Sequence, residues 1–540
     1  MSYSEWLKRA KDKDVREELL QIKGKDEEIS DRFYKDLNFG TGGLRGIIGA
    51  GTNRMNIYTV GKATFGLAEY ILKSGASKKV AIAYDSRHKS HEFAFRAAEI
   101  LSSKGIDVYI FDEIMPTPVL SYAVRKLNAG AGIVITASHN PKEYNGYKVY
   151  NERGCQITDK TADDIIAEID KSDYFAEFTP DISKIHRLGE DTLNDFLSDI
   201  RKYSLNDFTS DAHLKVVYTP LHGTGNIPVR KLLADMGVET FVVKEQELPD
   251  GDFTTCPYPN PEEKETLSIA IDYAKANKAD LVLATDPDAD RIGIAVRNEN
   301  NEYILLNGNE TGVLLMSYIL SQKKQKGISG KEPTVIKTIV TTDMVFDIAK
   351  TYGANVKEVL TGFKYIGEEI DVTDNYVLGM EESYGYLVGA HVRDKDAVSA
   401  AMMIVEMCAF YKTQGITLLQ ALDELYQTYG FYKTYLQSIA YPGQEGMATM
   451  NEVIDDIRKN PPREIVGEQV IFKDFIKGVS GLPKSNVLRF RGENIRLIIR
   501  PSGTEPKLKI YYQVKGETEE KAAVKMRELK FYAKEKLNIR

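Results

Sequence analysis

Three aspartates at alternate positions, Asp286, Asp288 and Asp290, follow the apolar run ADLVLAT with no lysine between them. In an extended or curved loop alternate side chains point the same way. Three carboxylates converging without a cation repel one another and raise their pKa values, and a hard divalent ion relieves that repulsion. An all-oxygen set of this kind suits Mg2+. The likeness to a calcium loop is superficial, because the central glycine and distal glutamate of an EF-hand are missing. A solvated acidic turn is the plainer alternative. Arg291, next in the chain, stands where it would flank a cation and reach a phosphate.

Three further loops carry residues of chemical interest. In ITASHNPKEYNGYK (135–148) an apolar run gives out at Thr136, and Ser138 and His139 follow. Pro141 and Asn145-Gly146 keep the segment out of a helix. Loops at the carboxyl ends of α/β strands are favoured ligand sites, but a serine hydroxyl needs a base or an electrophilic partner to act as a nucleophile. The GxSxG elbow of acyl hydrolases is absent, and a turn serine beside a capping histidine explains the stretch equally well. In LGMEESYGYLVG (378–389), Glu381, Glu382 and Ser383 close an apolar run. They suit vicinal sugar hydroxyls or an ordinary surface turn. His391, Arg393 and Lys395 form a basic cluster just beyond, fit for an anion, for proton transfer or for a solvated edge. In IIRPSGTEPKLKI (498–510), Arg500, Ser502, Gly503 and Thr504 offer a planar donor fork, two hydroxyls and free backbone N–H groups, a phosphate cradle without the GxxxxGK of a P-loop. A tight hairpin accounts for the glycine but not for the arginine and both hydroxyls.

The elements that must position these loops alternate in type. After a polar N-terminal helix, NFGTGGLRGIIGAGTNRMN (38–56) is too rich in glycine for a helix and reads as a loop held close to something. Helices are expected at 57–74, 90–103 and 117–127, with strands at 78–85, 107–111 and 131–136. The rhythm restarts near 213, with helices 227–236 and 261–277 and strands at 238–243 and before the aspartates. It restarts again at 334–343, through a helix at 344–352, strands at 356–362 and 375–385, and a helix at 396–410. Three such rounds predict three similar α/β domains with largely buried sheets. A helix near 449–459, strands within 465–474, 486–500 and 508–516 and a long terminal helix predict a different, α+β domain of about 90 residues.

The chain-wide numbers fit that plan. At 540 residues the chain exceeds one ordinary core, and roughly three or four domains are expected. With 42% hydrophobic and 28% charged residues it has the composition of a soluble globular protein. A formal charge of -8, and no Lys/Arg tract interleaved with aromatics, argue against nucleic acid as a partner. Cys155, Cys256 and Cys408 lie far apart without CxxC spacing, which fits a reducing compartment and gives no thiolate metal cluster. The charged start lacks the apolar core of a secretory signal, and the apolar stretch at 398–410 falls short of a membrane span. The expectation is a cytoplasmic protein with no membrane contact.

Taken in order, the loops resemble the motifs of the α-D-phosphohexomutases over nearly the full length of the chain. The likeness is greatest to the phosphoglucomutase and phosphopentomutase branch with long N-terminal extensions. The resemblance implies an α/β, four-domain heart-shaped enzyme, with three similar α/β/α domains and a C-terminal α+β domain like the TATA-binding protein. Domain I (1–206) would carry the phosphoserine loop, domain II (207–325) the metal loop, domain III (326–446) the sugar loop and domain IV (447–540) the phosphate loop. By the same resemblance TASHNP is the phosphoserine loop, and Ser138 holds a phosphoryl group whose oxygen joins Asp286, Asp288 and Asp290 on Mg2+. TGGLRG brings Arg45 to the site, and GFKYIG (362–367) gives Gly362, Phe363 and Lys364 to the loop that tells the two ends of the sugar apart. Glu381 and Ser383 would meet the sugar hydroxyls, and Arg500, Ser502, Gly503 and Thr504 the phosphate that does not react. Lys148 and Lys395 correspond to the family's basic groups after the serine and sugar loops, with His139 assisting near the serine.

The implied reaction is that of an intramolecular phosphotransferase: α-D-glucose 1-phosphate and D-glucose 6-phosphate interconvert through glucose 1,6-bisphosphate. Phosphopentomutase, phosphomannomutase and glucose 1,6-bisphosphate synthase activities resemble the same family. A binding protein that has lost turnover and a hydrolytic phosphatase are the alternatives from other classes. The expected partners are small sugar phosphates, with the chain a monomer or weak homodimer.

Overall fold

In the strands Lys79–Tyr84 (KVAIAY), Ala131–Ile135 (AGIVI) and Leu281–Thr285 (LVLAT) nearly every side chain is buried, with no alternation. Strands covered by helices on both faces have this pattern. The computed structural model describes all residues except 41, 208, 329–331, 442, 480, 503–506 and 540. The chain forms two compact units, Met1–Thr311 with Phe363–Thr417, and Gly312–Gly362 with Leu418–Arg540.

The first unit holds a six-stranded sheet in the order Gly43–Ile47, Tyr144–Asn151, Ala131–Ile135, Lys79–Tyr84, Asp107–Phe111, Ile185–Leu188. The last four are parallel, and the first two run against their neighbours. A five-stranded sheet follows the same plan in the order Tyr303–Leu306, Ile292–Arg297, Leu281–Thr285, Lys215–Thr219, Glu239–Val242, with the last three parallel and the others antiparallel. Tyr376–Glu381 and Gly385–Val388 form a third antiparallel return in this unit. Ser138, the aspartate triplet and Glu381–Ser383 thus sit at corresponding reversals, each where a strand turns back on itself.

Two stretches expected as loop are strand. Gly43–Ile47 pairs with 144–148 residue for residue, from Gly43 opposite Lys148 to Ile47 opposite Tyr144. The glycines that hid the strand also permit it: Gly43 has φ 136°, and a Cβ there would stand 1.8 Å from the Tyr147 carbonyl oxygen. The helix expected over 261–277 starts only at Ser268, after the 3-10 turn Glu265–Leu267. Upstream, Thr266 Oγ1 donates to the Tyr258 carbonyl and Glu262 is drawn to Arg291, so tertiary partners override helical propensity there. The N-terminal helices bury Trp6 edge-on against Phe33, Tyr58 and Phe175, and Glu18 accepts the Ala50 N–H at 2.6 Å, which ties this extension to the segment following Arg45's strand.

The second unit is built on an antiparallel sheet in the order Phe431–Ala440, Lys507–Gly516, Ile495–Pro501, Leu488–Arg491, Ile471–Asp474. Met450, Ile454 and Ile457 of the helix Gly443–Lys459 and Ala522, Leu529 and Ala533 of the helix Glu519–Lys536 pack into its core. The parallel pair Thr334–Thr338 and Asn355–Val359 belongs to the same unit. Fully buried Lys337 reaches Glu358 at 3.0 Å and Asp343 at 3.2 Å, and Glu358 also meets Arg496 at 3.1 Å and Arg489 at 3.3 Å. Among the described residues no helix is long and apolar enough to cross a membrane.

Burial alone would raise the Glu358 carboxyl, yet Lys337, Arg496 and Arg489 hold it well below its ordinary value of 4.5. A depressed carboxylate contributes stability above its unfolded pKa and loses it as pH falls through the folded one. Glu358→Gln leaves buried cations uncompensated, and a loss of about 3 kcal/mol is expected near neutral pH. In denaturant titrations the gap between wild type and variant should narrow once pH drops below about 4.5; a gap independent of pH would contradict this account of the cluster.

Candidate active site

The serine loop is held from below. Ser138 is 4% exposed and has φ 52°, a left-handed conformation that a non-glycine residue adopts only when its surroundings impose it. Its N–H donates to Thr136 Oγ1 at 2.8 Å. The guanidinium of buried Arg87 donates to the carbonyls of Ser138 and Asn140, and to those of Pro141 at 2.8 Å and Tyr144 at 3.1 Å. Asp85 stands behind that guanidinium at 3.3 Å, and the Phe253 ring lies 4.9 Å from it. The serine hydroxyl donates to Asp286 Oδ2 at 2.7 Å and lies 3.1 Å from His139 Nδ1. Desolvation, then the Arg291 and Arg45 cations, push the His139 imidazole well below its usual range, so it is neutral at neutral pH.

Asp286, Asp288 and Asp290 are buried, and one ligand atom of each lies within 4.8 Å of the others. Asp286 Oδ1 accepts the N–H groups of Asp290 and Arg291 at 3.1 and 3.0 Å. Asp288 Oδ2 accepts Thr117 Oγ1 at 3.0 Å and Lys148 Nζ at 2.8 Å. Lys395 Nζ lies 3.2 Å from Asp290 Oδ2. That leaves Asp288 Oδ1 and Asp290 Oδ1 buried with no hydrogen-bond donor. Buried anionic oxygens without donors are costly, and two of them in an all-oxygen trio fit a hard divalent cation. Burial, then the Asp288 and Asp290 carboxylates, push Asp286 well above the usual carboxylate range. Burial would raise Asp288 as well, but Lys148, then a hydrogen bond from Asp286, then Lys395 hold it below.

The lysines belong to different elements. Lys148 is on the strand Tyr144–Asn151, one face along from Tyr150, whose hydroxyl donates to Asp394 at 2.7 Å. Asp394 in turn lies 3.3 Å from Lys395 Nζ. Desolvation disfavours both ammonium groups, yet the surrounding carboxylates raise both above their ordinary range, so both carry charge. Arg291 pairs with Glu262 at 2.6 Å. Buried Glu381 borders Lys395, since a Cβ on Gly385 would touch Lys395 Cδ at 2.3 Å and Glu381 Oε2 at 3.6 Å. Ser383 is half-buried in the same reversal. The Phe363 ring is 5.7 Å from Lys395 Nζ, and Arg45 Nη1 donates to Asn140 Oδ1 at 3.2 Å.

Lys364 turns its ammonium to Asp159 at 3.0 Å. Gly362, Arg500 and Ser502 belong to the second unit, where Arg500 pairs across the sheet with Lys509 and the Ser502 N–H donates to the Lys507 carbonyl at 2.8 Å. Gly503 and Thr504 lie outside the described residues. Reading from sequence missed Asp85, Arg87, Thr117 and Glu262. For Asp85 and Arg87 a signal existed: DSRHKS follows the strand Lys79–Tyr84 directly, at the same kind of strand end as the serine and aspartate loops.

Fold and site together define a multidomain α/β protein in which repeated strand reversals gather a buried hydroxyl, an acidic trio and two ammonium groups. All four domains of one family match along the chain: phosphoglucomutase/phosphomannomutase α/β/α domain I over 36–175, domain II over 194–300, domain III over 307–429 and the C-terminal domain over 448–531. A phosphoglucomutase of Staphylococcus aureus (strain bovine RF122 / ET3-1) is 36% identical over 532 residues, covering 94% of this chain and 95% of its own. One from Staphylococcus haemolyticus (strain JCSC1435) is 37% identical over 501 residues, covering 89% and 90%. Among solved structures, the open form of the Paramecium exocytosis-sensitive phosphoprotein parafusin superposes with a TM-score of 0.74 at 18% identity, covering 94% of this chain and 95% of that one. A phosphoglucomutase/phosphomannomutase family protein of Burkholderia thailandensis gives 0.69 at 18% identity, covering 92% and 96%. The chain belongs to the phosphoglucomutase/phosphomannomutase family, the α-D-phosphohexomutases, and has its architecture of three α/β/α domains and a C-terminal α+β domain. That makes it a mutase-type enzyme of carbohydrate metabolism.

The open oxygens of the trio give a direct test. Asp290→Asn should weaken binding of Mn2+, used as a paramagnetic probe, by roughly tenfold or more, read by electron paramagnetic resonance of the free ion. Wild-type affinity in that variant would remove the cation from the site.

Proposed function

We propose that the protein is a phosphoglucomutase that interconverts α-D-glucose 1-phosphate and D-glucose 6-phosphate through a phosphorylated Ser138 and glucose 1,6-bisphosphate, with Mg2+ on Asp286, Asp288 and Asp290. The observation that carries the reading is the Ser138 hydroxyl, held in a left-handed turn 2.7 Å from Asp286. The choice of glucose is supported by the naming of the Staphylococcus relatives.

Phosphorylated Ser138 donates to the free hydroxyl of the bound monophosphate. The serine O–P bond breaks as the sugar O–P bond forms, the sugar hydroxyl gives up its proton to a basic side chain of the site, and the leaving serine oxygen takes up a proton from a neighbouring acidic group, restoring the Ser138 hydroxyl. The bisphosphate then turns over, and Ser138 takes the phosphoryl group that arrived with substrate. In that second transfer the serine proton leaves toward Asp286 Oδ2, to which the hydroxyl donates at 2.7 Å, with His139 Nδ1, 3.1 Å from Oγ, assisting. Splitting the exchange into two local transfers is the gain of a covalent carrier. A bound Mg2+ supplies charge neutralisation for the moving phosphoryl group. Lys148, Lys395 and Arg291 add fixed positive charge around it. Arg45 approaches from the strand Gly43–Ile47. Glu381 and Ser383 take the sugar hydroxyls, and Gly362, Phe363 and Lys364 belong to the loop that distinguishes the sugar's ends. Recognition of the phosphate that does not react falls to Arg500, Ser502, Gly503 and Thr504. The enzyme acts on small sugar phosphates in the cytoplasm, as a monomer or weak homodimer.

The test is a panel of glucose 1-phosphate, mannose 1-phosphate and ribose 1-phosphate with Mg2+ and trace glucose 1,6-bisphosphate, together with Ser138→Ala. Glucose 1-phosphate should be turned over fastest, Ser138→Ala should lower kcat by on the order of a thousandfold or more, and untreated protein should carry phosphate on Ser138 by mass spectrometry. Full activity in the alanine variant, or inorganic phosphate in place of an isomer, sinks the reading.

A further inference from the structure

The helix Thr117–Leu127 begins between two prolines, with Pro116 at the N-cap and Pro118 in the first turn. An α-helix leaves its first N–H groups without partners in its own backbone. Here the Thr117 N–H donates to the carbonyl oxygen of Asp288 at 2.9 Å. The Thr117 hydroxyl donates to the same residue's carboxylate, to Oδ2 at 3.0 Å. Thr117 is 0% exposed. One residue of the first sheet's domain therefore grips Asp288 of the second twice, by main chain and by side chain.

We propose that Thr117 is a positioning residue for the cation site: by engaging Oδ2 of Asp288 it keeps Oδ1 turned to the ion. This rests on the reading of the acidic turn as a cation site. The two oxygens of a carboxylate are chemically equivalent and exchange by rotation about a soft terminal torsion, so the donors around them decide which one faces the metal. Lys148 donates to Oδ2 as well, at 2.8 Å, but it also lies 3.5 Å from Asp290 Oδ2. Its long side chain can follow either oxygen. Thr117 cannot follow. It is β-branched and stiff at χ1, its backbone is fixed between prolines, and a second hydrogen bond ties it to the residue it orients. Oδ1, the oxygen it leaves alone, is buried without a donor.

Carboxylate ligands whose outer partner is removed lose roughly 10–100-fold in metal affinity. Mn2+ affinity would be measured by electron paramagnetic resonance on the full chain for Thr117→Val, Thr117→Ala and Thr117→Ser, with Asp290→Asn alongside. Valine and alanine lack the hydroxyl and differ in bulk, whereas serine keeps it. The expected result is affinity weakened about tenfold in the valine and alanine variants, and within about twofold of wild type in the serine variant. Unchanged affinity in the valine or alanine variant, or a serine variant as weak as alanine, overturns the proposal. The Asp290→Asn arm separates the two readings: if it too binds as wild type, the cation site itself fails, and if it alone is weakened, only the role of Thr117 fails.

Discussion

Three carboxylates packed within 4.8 Å in a buried place are the constraint around which the first unit is arranged. Like charges at that separation in a low dielectric repel strongly, and no single element of the chain neutralises them. The relief comes from several places: backbone N–H groups of the turn itself, Lys148 from the first sheet, Lys395 from just before the helix Ala397–Thr413, and Thr117 from a helix start. The α/β rounds are thereby pinned to one another at the point where their reversals meet. Main-chain bonds at the same place reinforce the docking, with the Ala397 N–H on the Ala289 carbonyl at 3.2 Å and the Ile292 N–H on that of Tyr384 at 3.1 Å.

Repetition of one local plan explains how the groups come together. In two sheets a buried parallel strand ends, a short polar segment turns, and an antiparallel strand returns. The third return, Tyr376–Glu381 to Gly385–Val388, places Glu381 at the end of its first strand, opposite Gly385. Each reversal lies at a strand's carboxyl end, where side chains can leave the sheet without unpairing backbone groups. A left-handed residue sharpens each one: Ser138, Ala289 and Tyr384 have φ values of 52°, 49° and 63°. The strain is small for any one of them and is held by surrounding bonds, most plainly by the four carbonyls on Arg87.

Much of this was legible in the chain because it is local. Apolar runs that end in Ser138 or in alternating aspartates mark strand ends, and residue type there suggests chemistry. The α/β rhythm and the distinct last domain follow from periodicity. What escaped notice depends on distance. Gly43–Ile47 has no apolar alternation to reveal it and is a strand only because 144–148 lies opposite. The false helical start at 261 has good helix formers in Glu262, Glu263 and Lys264, but Glu262 is committed to Arg291. Thr117 and Arg87 are ordinary residues at helix and strand boundaries until their partners, 171 and 51 positions away, are known.

A second ion cluster in the same chain gives the acidic trio a point of comparison. In the second unit Glu358 and Asp343 are also enclosed among cations, and each of their four carboxylate oxygens has one: Lys337 and Arg496 on Glu358 Oε1, Arg489 on Oε2, Lys337 and Arg496 on Asp343 Oδ1, and Arg491 on Oδ2. Each of those oxygens thus has a cation beside it, although both side chains keep 18% of their surface exposed. The trio is more deeply buried, at 0–2% exposed, and Asp288 Oδ1 and Asp290 Oδ1 have no hydrogen-bond donor, with Arg291 Nε 3.8 Å from the latter. A buried acceptor without a hydrogen-bond donor costs about 1–3 kcal/mol of stability. A bound cation would offset that cost, and the distribution of donors, more than the count of acidic residues, is what makes Asp288 and Asp290 candidate ligands.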